Sequence, residues 1–202
     1  RAAAALVPRM QAPGLPEALR RALSACLAGL RAMLGFSALY NLFAWSHTYV
    51  RWLKLLDHTG ICLKIACTYT PLMSLVCCTR SLAAVWLMAL CSIAERALRP
   101  HLEIGSIHLI FFVCIGASGA AALPYTYAAI SPWANALLGV GTSTILVGIV
   151  PFCMGSLEGH TALWHVAVLV GSICMFVAVY EEFAQPHVWQ ESAAVCHGLV
   201  RR

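Results

Sequence analysis

Apolar residues run along this chain in long blocks, each closed by a short group of charged or turn-forming residues. A bilayer core about 30 Å thick takes about 20 apolar residues per helix, and the blocks have that length. The pattern predicts an all-α, multi-pass transmembrane helical bundle with about six spans: 22–45, 58–78, 81–98, 105–123, 133–152 and 161–180. Residues 1–21, with three prolines and four arginines, read as an N-terminal tail or loop remnant. Residues 22–183 read as one transmembrane domain and 184–202 as a polar and aromatic C-terminal tail. Arg31 and Lys64 fall inside predicted spans, where a charge must face the bundle or snorkel. Tyr125, Tyr127 and Trp133 give the segment from Pro124 the composition of an interfacial belt. Gly139, Gly141 and Gly148 on the fifth span are expected to let helices pack closely.

Composition strengthens this picture. The chain is 61% hydrophobic and 10% charged, against the roughly 25% charged residues of a typical soluble domain. So few polar side chains cannot cover a water-facing surface, and the excess must face lipid. The net charge of +5 is spread over tails and short connections, without the basic run that nucleic-acid binding needs. It sets topology instead. Arg51, Lys54, Arg96 and Arg99 occupy connections on one side and Arg80 the other, so the first side is expected to be cytoplasmic. The tail residues Arg1, Arg9, Arg20 and Arg21 fall on the opposite side. Most of the 10 cysteines lie in apolar segments, lack the CxxC spacing of a metal site, and are expected to act as small hydrophobes. The start at Arg1 rather than Met suggests a fragment or a processed product, and Pro8 interrupts any signal-peptide core.

Polar residues collect at span ends on the predicted cytoplasmic side. Ser37 and Asn41 are four apart and share one helix face, Asp57 and His58 open the second span, and His160, Thr161 and His165 open the sixth. Polar groups at such depth mark function or structure. Asp57 and Thr161 either cap their helices or belong to a site. Ser37 and Asn41 either bond neighbouring helices or belong to that site. His165 is either a bonded structural residue or a ligand, and His160, five residues away, turns to it only if the helix begins later. His47, His58, His101 and His108 read as interfacial or packing residues.

The strings Ser37-Ala-Leu-Tyr-Asn41, Leu56-Asp57-His58-Thr-Gly-Ile61 and Ile65-Ala-Cys-Thr-Tyr-Thr-Pro71 resemble the hemolysin III family, which belongs with the progestin and adipoQ receptors and the adiponectin receptors. Thr161-Ala-Leu-Trp-His165-Val-Ala-Val-Leu-Val-Gly-Ser172 is similar to the last motif of that family, H-x-x-x-H-x-x-V-x-x-G-S. The resemblance runs from Ser37 to the end of the last span. It implies a seven-helix membrane fold, of which about six spans are present here. It also implies a zinc ion held by three histidines near the cytoplasmic face, with Ser37 and Asp57 beside the metal, and relatives that hydrolyse ceramide-type amides. Zinc with three imidazoles and an open position is a hydrolytic centre. The chain departs from the pattern at two ligand positions, which here are Asn41 and Thr161, so that only His165 matches. Neutral oxygen is a weak donor to zinc, and His160 or Asp57 would have to fill in. The resemblance therefore implies a receptor-like or membrane-regulatory protein with a degenerate metal site, in contact with membrane lipids and a lipid or ceramide ligand. The alternative is a zinc-dependent intramembrane amide hydrolase.

Overall fold

A computed structural model describes residues 15–43, 49–99, 105–183, 185, 187 and 188. These form seven α-helices: α1 (Glu17–Phe43), α2 (Val50–Leu75), α3 (Thr79–Leu98), α4 (Gly105–Ser118), α5 (Leu123–Ala129), α6 (Pro132–Cys153) and α7 (His160–Phe183). A single 3-10 turn, Ala120–Ala122, joins α4 to α5. Among the described residues five stretches are long and apolar enough to cross a membrane: Glu17–Phe43, Thr79–Leu98, Ile110–Ala129, Pro132–Cys153 and His160–Phe183. The second predicted span, 58–78, corresponds to α2, whose 26 residues rise about 39 Å but carry Arg51, Lys54, Asp57 and Lys64. The outer predicted tails, the 44–48 connection with His47, and His101 lie outside the described residues.

Helix starts differ from those expected, for local reasons. α1 begins at Glu17, just after Pro16, and Glu17 accepts from Arg21 Nε at 3.1 Å. A first-turn acid suits the helix dipole, so the charged tail residues continue the helix rather than ending it. α2 begins at Val50, so Asp57 and His58 sit inside the helix and not at its start. The reading of Asp57 as an N-cap is thereby overturned. Thr161 is likewise the second residue of α7, which starts at His160, so it does not precede the helix as a cap would. The fourth span runs past its expected end at Leu123, because the 3-10 turn redirects the chain into α5 without breaking the apolar stretch.

The helices group into two compact units, one of the described residues through Thr126 and one from Tyr127 onward. In the first, α2 packs against α1, α3 and α4. Its core is Cys62, Ala66, Met73, Val85, Ala89, Ile115 and Ala122. Glycines set the α1–α2 approach from both sides: a Cβ on Gly29 would lie 2.5 Å from Cys67 Cβ, and one on Gly60 would lie 2.9 Å from Met33 Cα. Polar ties cross the same unit. Tyr69 Oη donates to the Gly116 carbonyl at 2.9 Å, and Trp86 Nε1 donates to Thr70 Oγ1 at 3.2 Å. Lys64 is buried and Arg31 is on an exposed face of α1. α2 ends in a left-handed Cys77 (φ 53°), with Cys78 N–H on Met73 O and Cys77 N–H on Ser74 O. These are the two bonds of a Schellman C-cap.

The second unit is the α6–α7 pair. Gly141 and Gly171 face each other, and a Cβ on either would come within 2.8 Å of the other's carbonyl oxygen. Gly148 is closed over by Ala167, whereas Gly139 is exposed and meets nothing within 4 Å. Two of the three expected packing glycines therefore pack, and Gly171 supplies the partner that spacing alone did not reveal. The start of α6 is held from a distance. Ser131, its N-cap, accepts from Ala134 N–H at 3.2 Å and Pro132 follows at the first helical position. Glu182, 51 residues on, takes Ser131 N–H on Oε1 at 3.0 Å and Ser131 Oγ–H on Oε2 at 2.7 Å. A capping box normally takes its acid from the third helical residue. Here that residue is Ala134, and a carboxylate from α7 fills the role.

Large apolar side chains stand outward on both units, among them Leu87, Leu90 and Ile110 on the first and Val140, Val147 and Ile173 on the second. Such faces suit hydrocarbon, where every backbone group must be satisfied within helices.

Candidate functional site

The predicted site residues fall three on each unit. On the first, Ser37 and Asn41 occupy the last turns of α1, and Asn41 Nδ2 donates to the Ser37 carbonyl at 2.8 Å. The predicted pairing of these two is thus backbone-directed and stays within one helix. Asp57 lies half-buried in the second and third turns of α2.

On the second unit, His160, Thr161 and His165 line the start of α7. His165 Nδ1 is 2.7 Å from the Thr161 carbonyl. A carbonyl only accepts, so Nδ1 carries the proton and Nε2 keeps its lone pair. His160 Nδ1 donates to Leu157 O at 3.1 Å, which leaves its Nε2 to accept the Thr161 hydroxyl at 3.2 Å. His160 therefore lies beside Thr161 although the helix begins at it.

These bonds decide how well the residues suit a zinc ion. His165 has the tautomer a zinc-bound histidine adopts, with the far nitrogen anchored on a carbonyl. The other donors do not fit. The His160 lone pair is taken by Thr161, and the Asn41 amide is turned onto its own helix. Among the described residues no group of three or more His, Cys, Asp or Glu is gathered to hold a metal. One imidazole and neutral oxygens make a poor zinc site.

A family model described as haemolysin-III related matches residues 3–176. The chain belongs to the haemolysin-III related family. Family membership and the apolar helices make it an integral, multi-pass membrane protein. No solved structure matches it significantly.

A second polar cluster lies inside the first unit, where sequence reading saw only a packing histidine. His58 Nε2 is 3.0 Å from Ser92 Oγ on α3, and Cys62, one turn along α2, donates its S–H to Ser92 Oγ at 3.4 Å. Cys62 Sγ is also 3.6 Å from His58 Nε2, and the His58 ring lies on Phe112 of α4 with centroids 5.0 Å apart. All three polar residues are buried. The i, i+4 spacing of His58 and Cys62 is visible in the sequence, but Ser92 is 34 residues away and only helix packing supplies it. Glu182 was missed for the same reason.

Proposed function

We propose that this member of the haemolysin-III related family acts without catalysis, as a receptor-like or membrane-regulatory protein that meets membrane lipid and keeps a degenerate metal site. The observation that carries this reading is the donor chemistry at the motif positions. Asn41 and Thr161 stand where the resemblance places histidines, and their side chains already bond Ser37 O and His160 Nε2. Elemental mass spectrometry of the detergent-purified protein tests it. Zinc content is expected to be the same in wild type and His165→Ala, and to rise in the Asn41→His, Thr161→His double variant. Zinc present in wild type and lost in His165→Ala would refute it.

One observation favours a second reading, a zinc-dependent intramembrane amide hydrolase acting on ceramide-type lipids. The His165 Nδ1–Thr161 O bond presents Nε2 as a metal ligand would, with Asp57 and Ser37 as the family's accompanying residues. Release of fatty acid from ceramide that stops in His165→Ala would support this reading.

A further inference from the structure

One internal contact lays out the charged end of the α2–α3 pair. The two helices run antiparallel through the short turn after Leu75, and His58 Nε2 meets Ser92 Oγ at 3.0 Å, which fixes their register. Counted outward from that contact, Lys54 and Arg96 each stand four residues away, and Arg51 and Arg99 each stand seven. At 1.5 Å per residue these are levels about 6 and 10 Å beyond it, so both helices bring two cations to the same end of the first unit. Arg51 and Arg99 are exposed, and among the described residues no hydrogen bond or ion pair takes up either guanidinium. The half-buried acids Asp57 and Glu95 lie closer in, one and three residues from the contact. Among the described residues of this unit the outer level therefore carries positive charge alone. The same level holds Tyr49 and Trp52, 63% and 65% exposed, and Leu98, 81% exposed.

Helix length says where this level lies. The 26 residues of α2 rise about 39 Å, about 9 Å more than a hydrocarbon core of about 30 Å, and the excess is close to one headgroup layer. Three of its four charges, Arg51, Lys54 and Asp57, fall in its first eight residues, so the excess belongs at that end. Exposed Trp and Tyr beside cations suit the headgroup layer, where amphipathic rings settle. We infer that the Arg51–Arg99 end of the first unit is a docking surface for anionic phospholipid headgroups. A guanidinium presents two parallel N–H donors to a phosphate, and a cluster of four Lys and Arg at a membrane surface favours anionic lipid. A zwitterionic headgroup carries its own cation and gains less from the cluster. The excess of Lys and Arg makes this the cytoplasmic leaflet, which holds the anionic lipid. Arg80, exposed at the opposite end of α3, has no second cation in the α2–α3 turn and forms no such surface. The inference adds a lipid class to the proposed function and draws nothing from the metal site.

Native mass spectrometry of the detergent-purified full chain tests this, with bound lipid counted during titration by phosphatidylserine and, separately, by phosphatidylcholine. Wild type is expected to bind phosphatidylserine at least about tenfold more tightly. Arg51→Gln and Arg99→Gln should each weaken phosphatidylserine binding about fivefold, and the double variant should bind the two lipids alike. Both side chains are exposed, so these variants keep the fold. Arg80→Gln removes the same charge from the other end of α3 and should change nothing. Inorganic phosphate at matched ionic strength should leave the lipid bound, because the surface takes a headgroup held beside apolar side chains. Equal binding of the two lipids by wild type would overturn the inference. So would a preference that survives in the double variant, an equal loss in Arg80→Gln, or displacement by inorganic phosphate. The zinc comparison between wild type and His165→Ala reads the motif site alone, so the two ideas fail separately.

Discussion

Removing the Glu182 carboxylate should loosen the α6–α7 pair more than any single apolar truncation on its surface. The carboxylate is buried and bonds Ser131 twice, at 3.0 Å from N–H and 2.7 Å from Oγ–H. No Lys or Arg lies between residues 127 and 183, so these bonds and the positive end of the α6 dipole offset its charge. Hydrogen bonds to a charged group contribute about 1.5–3 kcal/mol each, and an orphaned buried N–H adds a penalty of about 1–3 kcal/mol. Glu182→Ala is therefore expected to cost about 3–5 kcal/mol, since the two bonds share one ordering cost. Glu182→Gln keeps an acceptor for the Ser131 N–H and should lose less, about 1–2 kcal/mol. Ser131→Ala removes the cap, about 1 kcal/mol, together with the bond to Oε2. Unfolding by SDS in mixed micelles, followed by far-UV circular dichroism, would measure each variant. The double variant should cost less than the sum of the singles by about 1–2 kcal/mol. A Glu182→Ala loss below about 1 kcal/mol, with additive double-variant behaviour, would refute this account of the junction.

The same unfolding assay checks three further expectations. Gly141→Ala should destabilise, because its Cβ would lie 2.8 Å from the Gly171 carbonyl, whereas Gly139→Ala meets open space and should stabilise by up to about 1 kcal/mol. Tyr69→Phe should cost about 1 kcal/mol by removing one of the two donors to the Gly116 carbonyl, which keeps the Gly119 N–H, with helix content unchanged. Gly159, at φ +78° ahead of α7, should accept Ala only at a cost of about 1 kcal/mol, read as unfolding at a lower SDS fraction.

The class of protein was legible from the apolar pattern alone, but the number of spans was not: among the described residues five of the six predicted stretches are long and apolar enough to cross a membrane, and α2 is not one of them. Apolar blocks of span length and scarce charge leave a bundle of membrane helices as the arrangement that satisfies backbone groups in lipid. Motifs confined to one helix were equally legible. Ser37 with Asn41, and Thr161 with His165, are four apart, and the bonds between them follow from helix geometry. Helix ends were less legible, because hydropathy stops at a charge while backbone hydrogen bonding does not. Glu17 to Arg21 and Val50 to Asp57 are helical in spite of their charges. Only the tertiary structure decided which glycines pack, which residue caps α6, and what surrounds His58. Gly139 and Gly141 are indistinguishable as residue types, yet only Gly141 meets a partner. Glu182 and Ser92 lie 51 and 34 residues from the groups they bond. Contacts of that kind come from rotation and register between helices, which the side chains of both helices set together.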